Sequence, residues 1–409
     1  MFDRLLVSQE FREATSDTAW LQALLDAEAA LAAAAARAGV IPTDAAEAIA
    51  AACRADAFDP DALATEGRSA GNPVEPLVRA LGDAVGGDAA RYVHWGATSQ
   101  DILDTAAMLV TRRTRDLLLA RIDALAAECA RLADEHRSTL MAARTLLQHA
   151  VPTTFGLRAA GWLVAVLEAR ERVASLRLAA QLGGAAGTLA ALGDRGPEVL
   201  RLYAQELELE EPILPWHTNR TRIGELAGAL ALVAGVVEKI ARDVLLLSQT
   251  EVAEVAEGSS GGSSTMPQKR NPVGSSIAVG CARQVLGHAS VLLGAQAQEH
   301  ERAAGTWHAE WPALRGALAY AGGAASAIAD VLAGLVVDAE KMSANARITG
   351  DALLAEQVSF ELAPRLGRRE AHEAVAGGAL REGLDPAAYL GSAELFIDRA
   401  LERYRAGGG

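Results

Sequence analysis

Residues 226–247 read LAGALALVAGVVEKIARDVLLL, and the spacing inside this stretch decides the fold class. Leu226, Leu230, Val233, Val237, Ile240, Val244 and Leu247 recur at alternating steps of four and three. That rhythm is the seam of a long α-helix packed at a shallow angle against others. Leu118, Ile122, Leu125, Cys129, Leu132 and His136 repeat it. A helix over 104–136 would be about 50 Å long at roughly 1.5 Å per residue. Helices of that length need neighbours to cover them. The apolar, Gly/Ala-studded segments 226–250, 276–298 and 316–337 suit packing on other subunits as well as within one chain.

Working outward, a shorter helix is expected after Ser16 or Asp17. Trp20, Leu21, Leu24, Leu25 and Leu31 share one face of it, and Gly39 and Pro42 mark its end. Between 59 and 87, Pro60, Gly67, Gly71, Pro73 and Pro76 keep helices short. From Asp338 onward Pro364, Gly367, Gly377, Gly378, Gly383 and Pro386 punctuate a small C-terminal region. The expected fold is all-α, with a helical domain over 1–100, a central long-helix bundle over 101–340 and a small helical domain over 341–409.

Composition narrows the function classes. Of 409 residues, 51% are hydrophobic but only 4% aromatic, so alanine, leucine and valine do most of the packing. The net charge of −14 speaks against nucleic acid as a partner, although local cations can still hold a small anion. Cys53, Cys129 and Cys281 show no CxxC pairing, which suggests reduced, buried thiols. Neither a secretory signal nor an apolar run reaching the roughly 18 residues of a membrane span is expected. The eight histidines form no HExxH, so no metal is expected. A cytoplasmic enzyme without membrane or nucleic-acid partners is the expectation.

Chemistry concentrates in a few segments. EGSSGGSSTMPQKRNPVGSS, residues 257–276, has the Gly/Ser content of a linker. It also carries Ser263, Ser264, Met266, Lys269, Arg270 and Asn271, which suit a loop closing over an anionic substrate. In HWGATSQD, residues 94–101, Thr98 and Ser99 stand at the start of a long helix. There they either cap it or cradle a carboxylate on unpaired amides. RTLLQHAVPTT, residues 144–154, offers Gln148 and His149; His149 is either a structural histidine or an acid–base group, one turn past Leu146 if the segment is helical. QLGGAAGT, residues 181–188, ends on the hydroxyl of Thr188. PWHTNR, residues 215–220, sets His217 and Arg220 in one turn, with Arg220 suited to a carboxylate or to surface solvation. Glu299-His300-Glu301-Arg302 and Trp307-His308-Ala309-Glu310-Trp311 are site candidates or a partly exposed helix with two core tryptophans.

Together SSTMPQKRNP, HWGATSQD, RTLLQ and QLGGAAGT resemble the signature segments of the fumarase/aspartase superfamily, from Trp20 to Ala400. Within it the chain looks like the carboxymuconate cycloisomerase branch. The resemblance implies three mostly helical domains, a homotetramer with sites shared between subunits, a small tricarboxylate substrate and no cofactor. It implies proton transfer beside a carboxylate through an aci-carboxylate intermediate. Ser263 would be proton donor, with His94 and His149 as further catalytic candidates. Thr98, Ser99, Gln148, Thr188, His217, Arg220, Ser264, Lys269, Asn271 and Arg302 would bind substrate. One departure stands out: adenylosuccinate lyases, argininosuccinate lyases and fumarases usually read Arg-Thr-His-x-Gln, whereas Leu146 occupies the histidine's place. A carboxylate, with a reference pKa near 4, departs as the anion without that acid. A C–N lyase of adenylosuccinate or nitrosuccinate type is the alternative, since nitrite also leaves unprotonated.

Overall fold

The chain is described by a computed structural model over residues 1–258, 266 and 269–407. Among the described residues sixteen α-helices dominate, with two small antiparallel sheets of two strands each. The all-α expectation holds in these terms. Internal contacts gather the chain into two units, one of 1–119, 172–234 and 281–323, the other of 120–171, 235–280 and 324–409.

In the first unit, Ser16 caps the helix Asp17–Arg37 by accepting from the amide of Ala19 at 3.1 Å. Leu21, Leu24, Leu25 and Leu31 are buried along it, and the helices Thr43–Ala52 and Gly196–Glu206 pack against it. Close approach is built on missing side chains. A Cβ at Gly322 would fall 2.1 Å from the ring of Phe11, so the chain there admits nothing larger. The helix Ser99–Glu135 starts in this unit.

In the second unit, Ile122, Leu125, Cys129 and Leu132 of that helix are all buried, as are Val237, Ile240, Val244 and Leu247 of the helix Thr221–Leu247. Burial of a side chain of this size contributes about 1.5–3 kcal/mol, so the four–three rhythm is also where the stability lies.

Two expectations are corrected. The segment 144–154 is not helical. Leu140–Thr145 and Gln148–Thr154 form a hairpin, with Thr145 opposite Gln148 and Leu146-Leu147 as its two-residue tip. Both tip residues have positive φ, 50° and 65°, as a primed hairpin turn demands. The β-branched Val151, Thr153 and Thr154 suit a strand. The second correction concerns apolar runs. Asp17–Arg37, Val273–Gly294 and Thr306–Ala333 are each long and apolar enough to cross a membrane by length and composition. Alanine gives Asp17–Arg37 and Thr306–Ala333 that character, and valine with leucine gives it to Val273–Gly294.

Candidate active site

Asp101 organises the first unit's polar cluster. It lies in the first turn of Ser99–Glu135 with no solvent exposure. Its carboxylate accepts from the amides of Thr98 (3.0 Å), Gly183 (2.9 Å) and Gly184 (2.9 Å), and meets His217 Nε2 at 2.7 Å. Charge at a helix N-terminus is favourable, and here it also draws the glycine-rich turn onto the helix start. A Cβ at Gly183 would stand 2.7 Å from Pro215 and 2.8 Å from the His217 ring, so that turn requires glycine.

Around this carboxylate the structure gathers several of the candidates. Arg302, half-buried, donates to Thr98 Oγ1 at 2.9 Å, to Gln100 Oε1 at 3.3 Å and to the Ala185 carbonyl at 3.1 Å. Ser99 is half-buried at the helix start, and Thr188 is exposed on the glycine-rich turn. His94, at φ 58°, places Nδ1 2.6 Å from Glu28 Oε1. Burial opposes the charged imidazole, but the charge and hydrogen bond of Glu28, helped by Asp101, hold its pKa above the ordinary value.

Arg220 corrects the sequence reading. It is 3% exposed and is neither solvated nor free for a substrate. Its guanidinium meets Asp104 at 2.7 and 3.0 Å and Glu310 at 2.5 and 3.1 Å. Burial works against its charge, yet these two carboxylates outweigh it and hold the pKa above the ordinary value. Trp307 donates Nε1 to Asp104 at 3.1 Å, and Glu310 is buried, so this end of the Trp-His-Ala-Glu-Trp segment serves an internal ion cluster.

In the second unit a second buried carboxylate, Glu254, plays the corresponding part. Arg144 meets it in a fork at 2.9 and 2.6 Å, and Asn345 Nδ2 donates to it at 2.9 Å. Opposite Arg144 in the hairpin stands His149, whose Nδ1 lies 2.7 Å from Thr349 Oγ1. Burial, reinforced by Arg144 and opposed by Glu254, lowers the His149 pKa. Gln148 is exposed, and Leu146 at the tip is 97% exposed.

The signature segment is pinned at both ends. Val255–Glu257 pairs with Leu335–Val337, and the buried Glu257 carboxylate accepts from Gly274 (3.0 Å) and Ser275 (2.8 Å) at the start of the helix Val273–Gly294. Lys269 and Arg270 are exposed, and Asn271 is half-buried. Ser263 and Ser264 lie outside the described residues.

The acidic anchors Glu28, Asp104, Glu254 and Glu257 were not read from the sequence. Asp101 and Glu257 belong to the motifs HWGATSQD and EGSSGGSSTMPQKRNPVGSS, and Glu254 stands three residues before the second, so an acidic residue beside a Gly/Ser segment was the available signal. Among the described residues no group of three His, Cys, Asp or Glu side chains could hold a metal.

The profile of the lyase family matches residues 6–287. The 3-carboxy-cis,cis-muconate cycloisomerase of Bradyrhizobium diazoefficiens is 46% identical, the alignment covering 97% of this chain and 96% of that protein. The nitrosuccinate lyase of Streptomyces davaonensis is also 46% identical, covering 95% and 91% respectively. The crystal structure of the 3-carboxy-cis,cis-muconate lactonizing enzyme from Pseudomonas putida superposes with a TM-score of 0.92 over all of both chains, at 41% identity.

Proposed function

The chain belongs to the lyase family, and on that footing we propose that it is a cycloisomerase converting 3-carboxy-cis,cis-muconate to 4-carboxymuconolactone. The likeness to the lactonizing enzyme over the full length of both chains carries this reading. One carboxylate oxygen of the substrate adds to a double-bond carbon. The displaced electron pair settles on the neighbouring carbon and spreads into its carboxylate as an aci-carboxylate. Ser263 gives that carbon its proton and recovers one from solvent, so the lactone carries one negative charge fewer than the muconate.

A serine proton donor needs its anion stabilised, which is the part of Lys269 and the loop amides. Lys269 and Asn271 hold the carboxylate that gains charge. Thr98, Ser99, Gln148, Thr188, Ser264 and Arg302 complete the binding surface, with His94 and His149 as the remaining acid–base groups; His217, buried on Asp101, positions the turn rather than the substrate. Arg220 is omitted, because the protein's own carboxylates engage it. Leu146 supports the assignment: an apolar side chain cannot protonate a leaving amine or hydroxide, and a carboxylate does not need it.

Under this reading the enzyme is a cytoplasmic homotetramer of three-domain subunits that share their sites, working without metal or cofactor. The exposed Leu232, Leu246, Leu286, Val291 and Leu293 on its long helices support assembly. Purified protein mixed with 3-carboxy-cis,cis-muconate should abolish its ultraviolet absorbance, and Ser263→Ala should slow this by about 100-fold or more. No turnover by the wild type removes the assignment; full activity of Ser263→Ala removes the mechanism. The 46% identity to a nitrosuccinate lyase supports one other reading, and nitrite release from nitrosuccinate decides for it.

A further inference from the structure

Arg158 presents a cation whose one ion pair is long and shared. It sits in the first turn of the helix Phe155–Ala174, which follows the hairpin. Among the described residues no hydrogen bond reaches its guanidinium, and its nearest acid, Asp243 Oδ1, stands 3.8 Å away. Asp243 is drawn elsewhere: Trp162 Nε1 donates to its Oδ2 at 2.8 Å, and Lys239 pairs with the same oxygen. The Arg158 side chain is 21% exposed, so water replaces only part of what it lacks. Burial, reinforced by Arg144 and opposed by Asp243 and Glu254, pulls its pKa below the ordinary arginine value.

The space beside it is a cavity of about 530 Å³. Arg144, Arg158 and Lys239 line it with Asp243, three cations against one acid, and Leu157, Trp162 and Ile240 supply apolar wall. Arg144 is committed to Glu254 and Lys239 to Asp243, which leaves Arg158 as the cation best placed to receive a further charge. A planar guanidinium that makes no hydrogen bond of its own among the described residues matches a carboxylate in a fork, and the apolar wall suits a short hydrocarbon body.

We propose that this cavity, built by Arg158, Lys239 and Trp162, is a binding site for a small aliphatic carboxylate. It is separate in its residues from the groups assigned to catalysis. A bound carboxylate would complete the Arg158 pair, and by linkage it would stabilise the fold.

Succinate titration at constant ionic strength, read as a thermal shift on the whole protein, tests this. Wild type should show a saturable upward shift, and Arg158→Gln should weaken the apparent affinity at least ten-fold. Lys269→Ala should leave it unchanged. Should Arg158→Gln fail to fold, Lys239→Gln supplies the same comparison with a smaller loss, and a crystal grown in succinate should show density on the Arg158 guanidinium. An affinity lost in Lys269→Ala and kept in Arg158→Gln would assign the ion to the reaction site and overturn the proposal. Equal shifts by inorganic phosphate and none by succinate would overturn the carboxylate class. An Arg158→Gln variant that changes mass in solution, with wild type showing no succinate shift, would mean that a second copy's acid fills the cavity.

Discussion

Asp101 and Glu254 are both carboxylates with no solvent exposure, yet they are neutralised by different means. Asp101 takes three backbone amides and an imidazole. Glu254 takes a guanidinium fork and a side-chain amide. Backbone donors cannot rotate away, so the Asp101 cluster is a fixed frame for the helix start and the glycine-rich turn. The partners of Glu254 are side chains from the hairpin and from the helix Ala339–Ile348, and such partners can rearrange when the pair is broken. One region is therefore preorganised and the other adjustable.

The largest effect should come from Asp101→Ala. It strands the Thr98, Gly183 and Gly184 amides, and each buried donor left unpaired costs about 1–3 kcal/mol, so the loss should be about 4 kcal/mol in urea unfolding. Activity should fall with it, because Thr98 and Thr188 lose their frame. A loss under about 1 kcal/mol would show that the turn closes without its anchor.

Glu254→Leu should cost less, about 2–3 kcal/mol, since Arg144 is 17% exposed and can turn toward water. Adding Arg144→Met should return most of that stability, because the uncompensated charge goes with it. The same urea measurement decides it. If the double variant is no better than Glu254→Leu, the pair is as rigid as Asp101's frame and the contrast fails.

The hairpin tip lies in the adjustable region and carries strain of its own. Leucine at φ 50° and 65° is disfavoured, and Asn-Gly suits both positions. Leu146→Asn with Leu147→Gly should stabilise the protein by about 1 kcal/mol. Lactonisation by the stabilised variant then shows whether the leucines themselves serve the reaction, and destabilisation would contradict the turn geometry. Leu146→His is the chemical counterpart: unchanged lactonisation would remove the link between this position and the leaving group.

These contrasts explain what was legible in the sequence. Helix seams were, because a four–three rhythm is a local pattern and each member, from Leu226 to Leu247, is buried. Ser16 as a cap was, since capping acts over three residues. The hairpin was not, because its tip has leucines where a primed turn ordinarily announces itself with Asn-Gly. Arg220 was misread for a related reason: a guanidinium looks the same in sequence whether its carboxylate belongs to a ligand or to Asp104, 116 residues away. Arg144 and Glu254 stand 110 residues apart. Motifs reveal which groups are present, while long-range pairing decides which remain available.

The smallest expected effect separates the two regions by pH. In the Asp101 region the folded pKa of His94 is raised, so its pairing with Glu28 stabilises fully below the unfolded value of about 6.5 and fades as pH rises through the folded value. In the Glu254 region the folded pKa of His149 is lowered. The native state there prefers the neutral ring, and that contribution is lost as pH falls through the unfolded value. Urea midpoints at pH 5.5 and 8.5 should therefore respond in opposite senses. Glu28→Gln should lose more relative to wild type at pH 5.5 than at 8.5, and His149→Gln should compare least unfavourably at pH 5.5. Losses independent of pH in Glu28→Gln would mean that the His94 contact is held by shape rather than by charge.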